Sequence, residues 1–212
     1  MVSQRLMNFK FAMFVHLRLF ILCCVGVVCL GNWVEARETY QQFAARMVAQ
    51  AVAENAVRSD LEDQLFLLSN TYRQSQGYAP LARDKTQLAA ARAHAMDMLL
   101  NNFMGHRAST GQEFDSRMKA LNGNPMILPR MAENAARVSK PGVVNAAMAS
   151  SLFQQWVHSP PHRTTLVSRD YSSLTIGVVS LGGKLYADQI FVGPHVNTNM
   201  NSSTTVETPS LY

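Results

Sequence analysis

Four residues have the types that could do chemistry together: His106 in "FMGHRAS", Glu133 in "AENAA", and Ser159 and His162 in "WVHSPPHRTTL". Two imidazoles and a carboxylate are the usual donors for zinc, and an imidazole beside a carboxylate is also the usual machinery for moving a proton. The spacings of 27 and 29 residues among His106, Glu133 and His162 match no established ligand pattern, and there is no H-E-x-x-H. A serine nucleophile at Ser159 would need His162 within hydrogen-bond reach and an oxyanion hole. The segment lacks G-x-S-x-G, and two prolines follow Ser159, so its hydroxyl is expected to cap a turn.

These stretches need elements to position them. Residues 37–58 are Ala-rich and helix-prone, with Phe43, Met47, Gln50 and Ala51 at helical spacing and no good cap at either end. They form either a helix packed on the domain or a loosely attached leader. Ser59 and Glu62 have the spacing of a capping box. Leu61, Leu65, Leu68 and Tyr72 then repeat as one face of a helix that Gly77 ends. Asp84 with Gln87 suggests a second N-terminal cap, followed by Leu88, Ala91, Ala95, Met98 and Asn102. His94 flanks that stripe and is expected to pack and make a local hydrogen bond.

From Phe103 to Ala132 the pattern breaks at Gly105, Gly111, Gly123, Pro125 and Pro129, around a short helix from Gln112 to Leu121 carried by Phe114, Met118 and Leu121. Long excursions of this kind are usually functional or disordered. "MAENAARV" reads as a strand. Val143–Val157 reads as a helix whose Val144, Met148, Leu152 and Trp156 recur every four residues, so Trp156 is a core anchor. "SPPH" is then a forced turn. "SLTIGVVSL" and "KLYADQIFV" read as two strands joined at Gly182-Gly183, which suits a two-residue hairpin. Helices first, then a helix and a hairpin, give an α+β layout.

The totals exclude several classes. The 212 residues suit one domain with extra length at the ends. A basic stretch (Arg5, Lys10, Arg18) precedes the apolar run 19–30, and Val34 and Ala36 suit cleavage after Ala36, so residues 1–36 are expected to be a signal peptide. Setting aside Arg5, Lys10, Arg18 and Glu35 leaves 16 Lys and Arg against 13 Asp and Glu, too mild a balance for nucleic acid. The three cysteines, Cys23, Cys24 and Cys29, all fall in the apolar run, so the exported chain is expected to rely on its core without disulfides and without a membrane span. Residues 59–194 are expected to be the domain, and 195–212 a disordered polar tail.

The order of "LSNTYRQSQGYAPL…FMGH", "AENAA", "WVHSPPHRTTL", "YSSLTIGV" and "YADQIFVG" resembles the CAP superfamily of cysteine-rich secretory, antigen 5 and pathogenesis-related proteins, closest to its bacterial SCP-like branch, over about residues 61–193. The resemblance implies an α-β-α sandwich with a three-stranded antiparallel sheet between helical layers. It implies a cleft with His106, Glu133 and His162, where Ser159 stands in place of the second acid of the family's tetrad. Zinc on His106 and His162 is the cofactor it allows. The resemblance does not choose the function; with the signal segment, the expected protein is a secreted or periplasmic binding or structural module of the cell envelope, without catalysis, whose ligand is a lipid, a cell-wall component or a protein. The alternatives are a metal-dependent hydrolase acting on peptides or cell wall, and a sterol or fatty-acid exporter.

Overall fold

The computed structural model describes residues 37–123, 125–126 and 128–194. The expected signal segment 1–36 and polar tail 195–212 lie outside them.

Residues 40–53 form helix α1 (Tyr40–Ala53). Its start is fixed by a capping box: Gln42 N donates to Thr39 Oγ1, and Thr39 N donates to Gln42 Oε1 at 2.9 Å. Tyr40, Phe43, Ala44, Met47 and Ala51 are buried, and the helix packs on α3 (Leu88–Leu100). Of the two readings of this segment, the packed helix is the one found.

Helix α2 (Ser59–Ser75) follows, but the expected capping box at its start is not formed. Arg58 occupies the cap without a side-chain bond. Glu62 turns inward instead, accepting from Arg92 Nε and Nη2 at 2.7 Å each and from Val178 N at 3.2 Å. A buried carboxylate with three donors is better satisfied there than at an exposed helix end. The second expected cap also differs. Asp84 accepts from Thr86 N at 2.7 Å in a local turn, and the N-cap of α3 is Gln87.

Helix α4 (Phe114–Leu121) starts two residues later than expected. Helix α5 (Ala146–His158) starts at Ala146 rather than Val143, because Asn145 caps it by accepting from Ala147 N and Met148 N. The two prolines do not make a plain turn. Pro160 and Pro161 occupy the first turn of a new helix, α6 (Pro160–Leu166), where a missing N–H costs nothing.

The sheet has four strands in the order β1-β3-β4-β2: β1 (Ala82–Arg83), β2 (Met131–Ser139), β3 (Ser173–Leu181) and β4 (Lys184–Val192). The expected three-stranded antiparallel sheet is its main part, β2-β4-β3. The short β1 adds a parallel pairing to β3, so the sheet is mixed. The hairpin turns at Gly182 and Gly183, with φ of 57° and 74°, the positive values a two-residue turn requires.

Each sheet face has its own core. Leu174, Ile176, Val178, Leu185 and Phe191 pack with Leu65, Leu152 and Trp156 from α2 and α5. Val179 and Tyr186 on the other face pack with Phe43, Met47, Met96 and Met98 from α1 and α3. This is an α+β sandwich of helices, sheet and helices. Gly177 lets α3 lie close on β3: a Cβ there would stand 2.5 Å from the carbonyl carbon of Ala91.

Candidate functional site

Strand β2 lies at an edge of the sheet, and its adjacent Glu133 and Asn134 point to opposite faces. Each holds one of the expected histidines. On the α1/α3 face, His106 Nδ1 donates to Glu133 Oε2 at 2.9 Å. On the α5/α6 face, Asn134 Nδ2 donates to the backbone carbonyl of His162 at 3.1 Å. Two residues of one edge strand therefore anchor two histidines that sequence spacing leaves unrelated.

Glu133 is also gripped from below. Arg117 Nη2 donates to Glu133 Oε1 at 2.6 Å and Oε2 at 2.9 Å, and to the carbonyl of His106 at 3.0 Å. The Glu133 side chain is 1% exposed and that of Arg117 is 0%, whereas that of His106 is 50% exposed. The carboxylate is thus buried and fully engaged, and the imidazole it holds is the exposed part. The sequence reading missed Arg117. It stands three residues after Phe114 and four before Leu121, so it occupies a position on the apolar stripe, and a charge there signals a buried partner.

The electrostatics follow from these contacts. Burial works against the charge of Glu133, but the His106 bond and the Arg117 cation outweigh it and hold the carboxyl below its ordinary value. The Glu133 hydrogen bond raises the pKa of His106 against the opposing pull of burial. Burial, and then the charge of His106, lower that of His162. The two imidazoles are therefore driven apart in basicity. When His106 is neutral, Glu133 fixes its proton on Nδ1 and leaves Nε2 with its lone pair outward.

Behind the cluster, His94 is fully buried and its Nε2 donates to Gly105 O at 2.8 Å, the packing and local bond expected of it. Asp188 on β4 is also fully buried, and neither of its oxygens has a hydrogen-bond partner among the described residues. Burial first, then the charge of Glu133, push its carboxyl well above the usual carboxylate range, with Arg117 opposing.

Ser159 joins α5 to α6, and its hydroxyl makes no capping bond to α6, contrary to expectation. The Pro160 and Pro161 ring nitrogens carry no proton to give it. The donor set left for a metal is two imidazoles, short of the three or four protein ligands zinc takes. Among the described residues, no group of three or more His, Cys, Asp or Glu is placed to hold a metal ion. The residues do not fit a zinc centre.

Residues 67–194 match the family model CAP, described as the cysteine-rich secretory protein family. Among curated proteins, the chain is 29% identical over 136 residues to the uncharacterized protein YkwD of Bacillus subtilis, covering 64% of this chain and 48% of that one. It is 26% identical over 122 residues to the uncharacterized membrane protein YlbC of the same organism, covering 58% and 32%. The chain thus spans about half or less of the curated relatives it matches. Among solved structures, it resembles an extracellular SCP-domain protein of Bacillus anthracis at 23% identity and a TM-score of 0.51, covering 64% of this chain and 41% of that one. It also resembles an outer surface protein of Borrelia burgdorferi at 15% identity and a TM-score of 0.53, covering 64% and 94%. With the family's motifs in order and its sandwich in place, the chain belongs to the CAP, or cysteine-rich secretory protein, family.

Proposed function

We propose that the chain is an exported cell-envelope binding module that holds a polar ligand without transforming it. The observation that supports this reading is the commitment of Glu133. Both of its oxygens are engaged by Arg117 and His106, and its side chain is sealed from solvent. A general base must reach the proton it takes, and this carboxylate cannot. His106 and His162 remain as hydrogen-bonding groups for a lipid headgroup, a wall fragment or a protein. Export is supported by the basic and apolar pattern of residues 1–36, and by the descriptions of the two structural neighbours as extracellular and outer surface proteins.

One observation favours a second reading. A carboxylate on Nδ1 with Nε2 turned outward is also how a histidine is set up to activate water, which supports a wall or peptide hydrolase. The two readings separate in one experiment. The purified chain is titrated with soluble peptidoglycan fragments and with phosphatidylglycerol vesicles, and the recovered ligand is examined by mass spectrometry. Saturable uptake of unchanged ligand, lost in His106→Ala, is the expected result. Fragment cleavage that disappears in His106→Ala would establish the hydrolase instead.

A further inference from the structure

Away from His106, two guanidinium groups share one aromatic ring. Arg73 Cζ lies 5.9 Å and Arg169 Cζ 5.3 Å from the ring centroid of Tyr78. Together with Pro80, Tyr171 and Ser172 they line a cavity of about 350 Å³ at the C-terminal end of α2.

Arg73 is 2% exposed, yet its partners are carbonyls rather than acids. Nε donates to Ala79 O at 2.9 Å, and Nη1 to Leu166 O at 2.7 Å and Ser168 O at 2.9 Å. Carbonyls satisfy donors and fix the side chain, but they do not neutralise it. Among the described residues no carboxylate is paired with Arg73 or Arg169. The nearest acid in sequence to Arg169, Asp170, is engaged by Arg130 at 2.9 Å. Burial lowers the pKa of Arg73, as an unneutralised cation requires.

Two other cavities among the described residues differ. One of about 170 Å³ carries Arg83 and Arg92, which are bridged to Asp63 and Glu62 at 2.8 Å and 2.7 Å. Another, beside Ala44, Val48 and Leu121, has no ionisable group in its lining. A buried cation fixed by carbonyls, a second, exposed cation, an aromatic wall and the lack of a paired carboxylate coincide in the Tyr78 cavity alone of the three.

We propose that the Arg73–Tyr78–Arg169 cavity is an oxyanion site that takes the phosphate or carboxylate group of a ligand whose remainder packs on Tyr78 and Tyr171. Arg169 can offer the two-pronged guanidinium fork that matches such groups in shape and charge, while Arg73, with Nε and Nη1 given to carbonyls, adds Nη2 and a positive charge already fixed in place.

The test titrates the purified chain with phenyl phosphate, benzoate and neutral benzyl alcohol, followed by NMR of the tyrosine rings. Phenyl phosphate and benzoate should shift Tyr78 saturably, weaken as salt is raised, and outbind benzyl alcohol. Arg73 also holds two loops, so the variant used is Arg169→Gln, expected to weaken binding about ten-fold or more. Arg169→Lys should restore part of it, and His106→Ala should leave it unchanged. Cosedimentation with phosphatidylglycerol vesicles that needs Arg169 would assign the anion to a lipid headgroup, while phenyl phosphate binding without it would assign a soluble ligand. Absence of a saturable shift at millimolar probe, or equal binding by Arg169→Gln, overturns the proposal.

Discussion

Nη2 of Arg117 lies 2.6 Å from Oε1 of Glu133, and neither side chain reaches solvent. A buried pair of this kind is costly to break from one side, because the partner left behind is a buried, unpaired charge. Arg117→Met should therefore destabilise the fold by about 3–5 kcal/mol, read as a lowered urea midpoint. The double variant Arg117→Met, Glu133→Gln should recover part of the loss. A single variant that unfolds like the parent would show that the pair contributes nothing.

Asp188 gives a prediction of opposite sign. Its carboxyl pKa is raised in the folded chain, so the fold keeps a proton that the unfolded chain releases above about pH 3.9. Its contribution to stability is lost as pH rises from there toward the folded value. Asp188→Asn has the same shape and no proton to lose. It should melt above the parent at pH 7 and close to it at pH 3.5. A variant that melts lower at pH 7 would show that an ionised Asp188 is needed beside Arg117.

Trp156 is fully buried, with the ring of Phe153 edge-on at 6.4 Å. Trp156→Ala should cost about 3–5 kcal/mol, measured by chemical unfolding. An unchanged midpoint would place the indole outside the core.

His162 tests whether the two histidines share one site. Part of its lowered pKa comes from the charge of His106. Removing that charge in His106→Ala should raise the pKa of His162, followed by NMR titration. A His162 titration identical in both proteins would separate the two residues.

The elements with strong periodicity were legible in the sequence. Met148, Leu152 and Trp156 on α5, the two strands and the Gly182-Gly183 turn all stand where their spacing put them, while Val144 falls just before the helix. The caps were less so. The Thr39–Gln42 box has the required pattern and forms, while the Ser59–Glu62 box has it too and does not form. A cap pattern is local, and Glu62 answers to Arg92, thirty residues away in the chain. His106 and Glu133 were found through the order of family motifs, since nothing in a 27-residue gap says that they touch. Arg117 carried a usable signal, a charge on an apolar stripe, but its partner could not be read from the helix itself. Asp188 was hidden for the opposite reason: in "KLYADQIFV" it takes an ordinary alternating position, and only the closed sandwich makes it buried.

The most direct test of the account is the protonation of His106 itself. Nitrogen-15 NMR of the imidazoles across the neutral pH range reads both its pKa and its tautomer. If an ionised, buried Glu133 holds Nδ1, His106 titrates above the ordinary histidine value of about 6.5 and carries its proton on Nδ1 once neutral. A pKa at or below about 6.5, or a neutral form protonated on Nε2, would mean that Glu133 does not hold the imidazole, and the reading of the site built on that contact would fall.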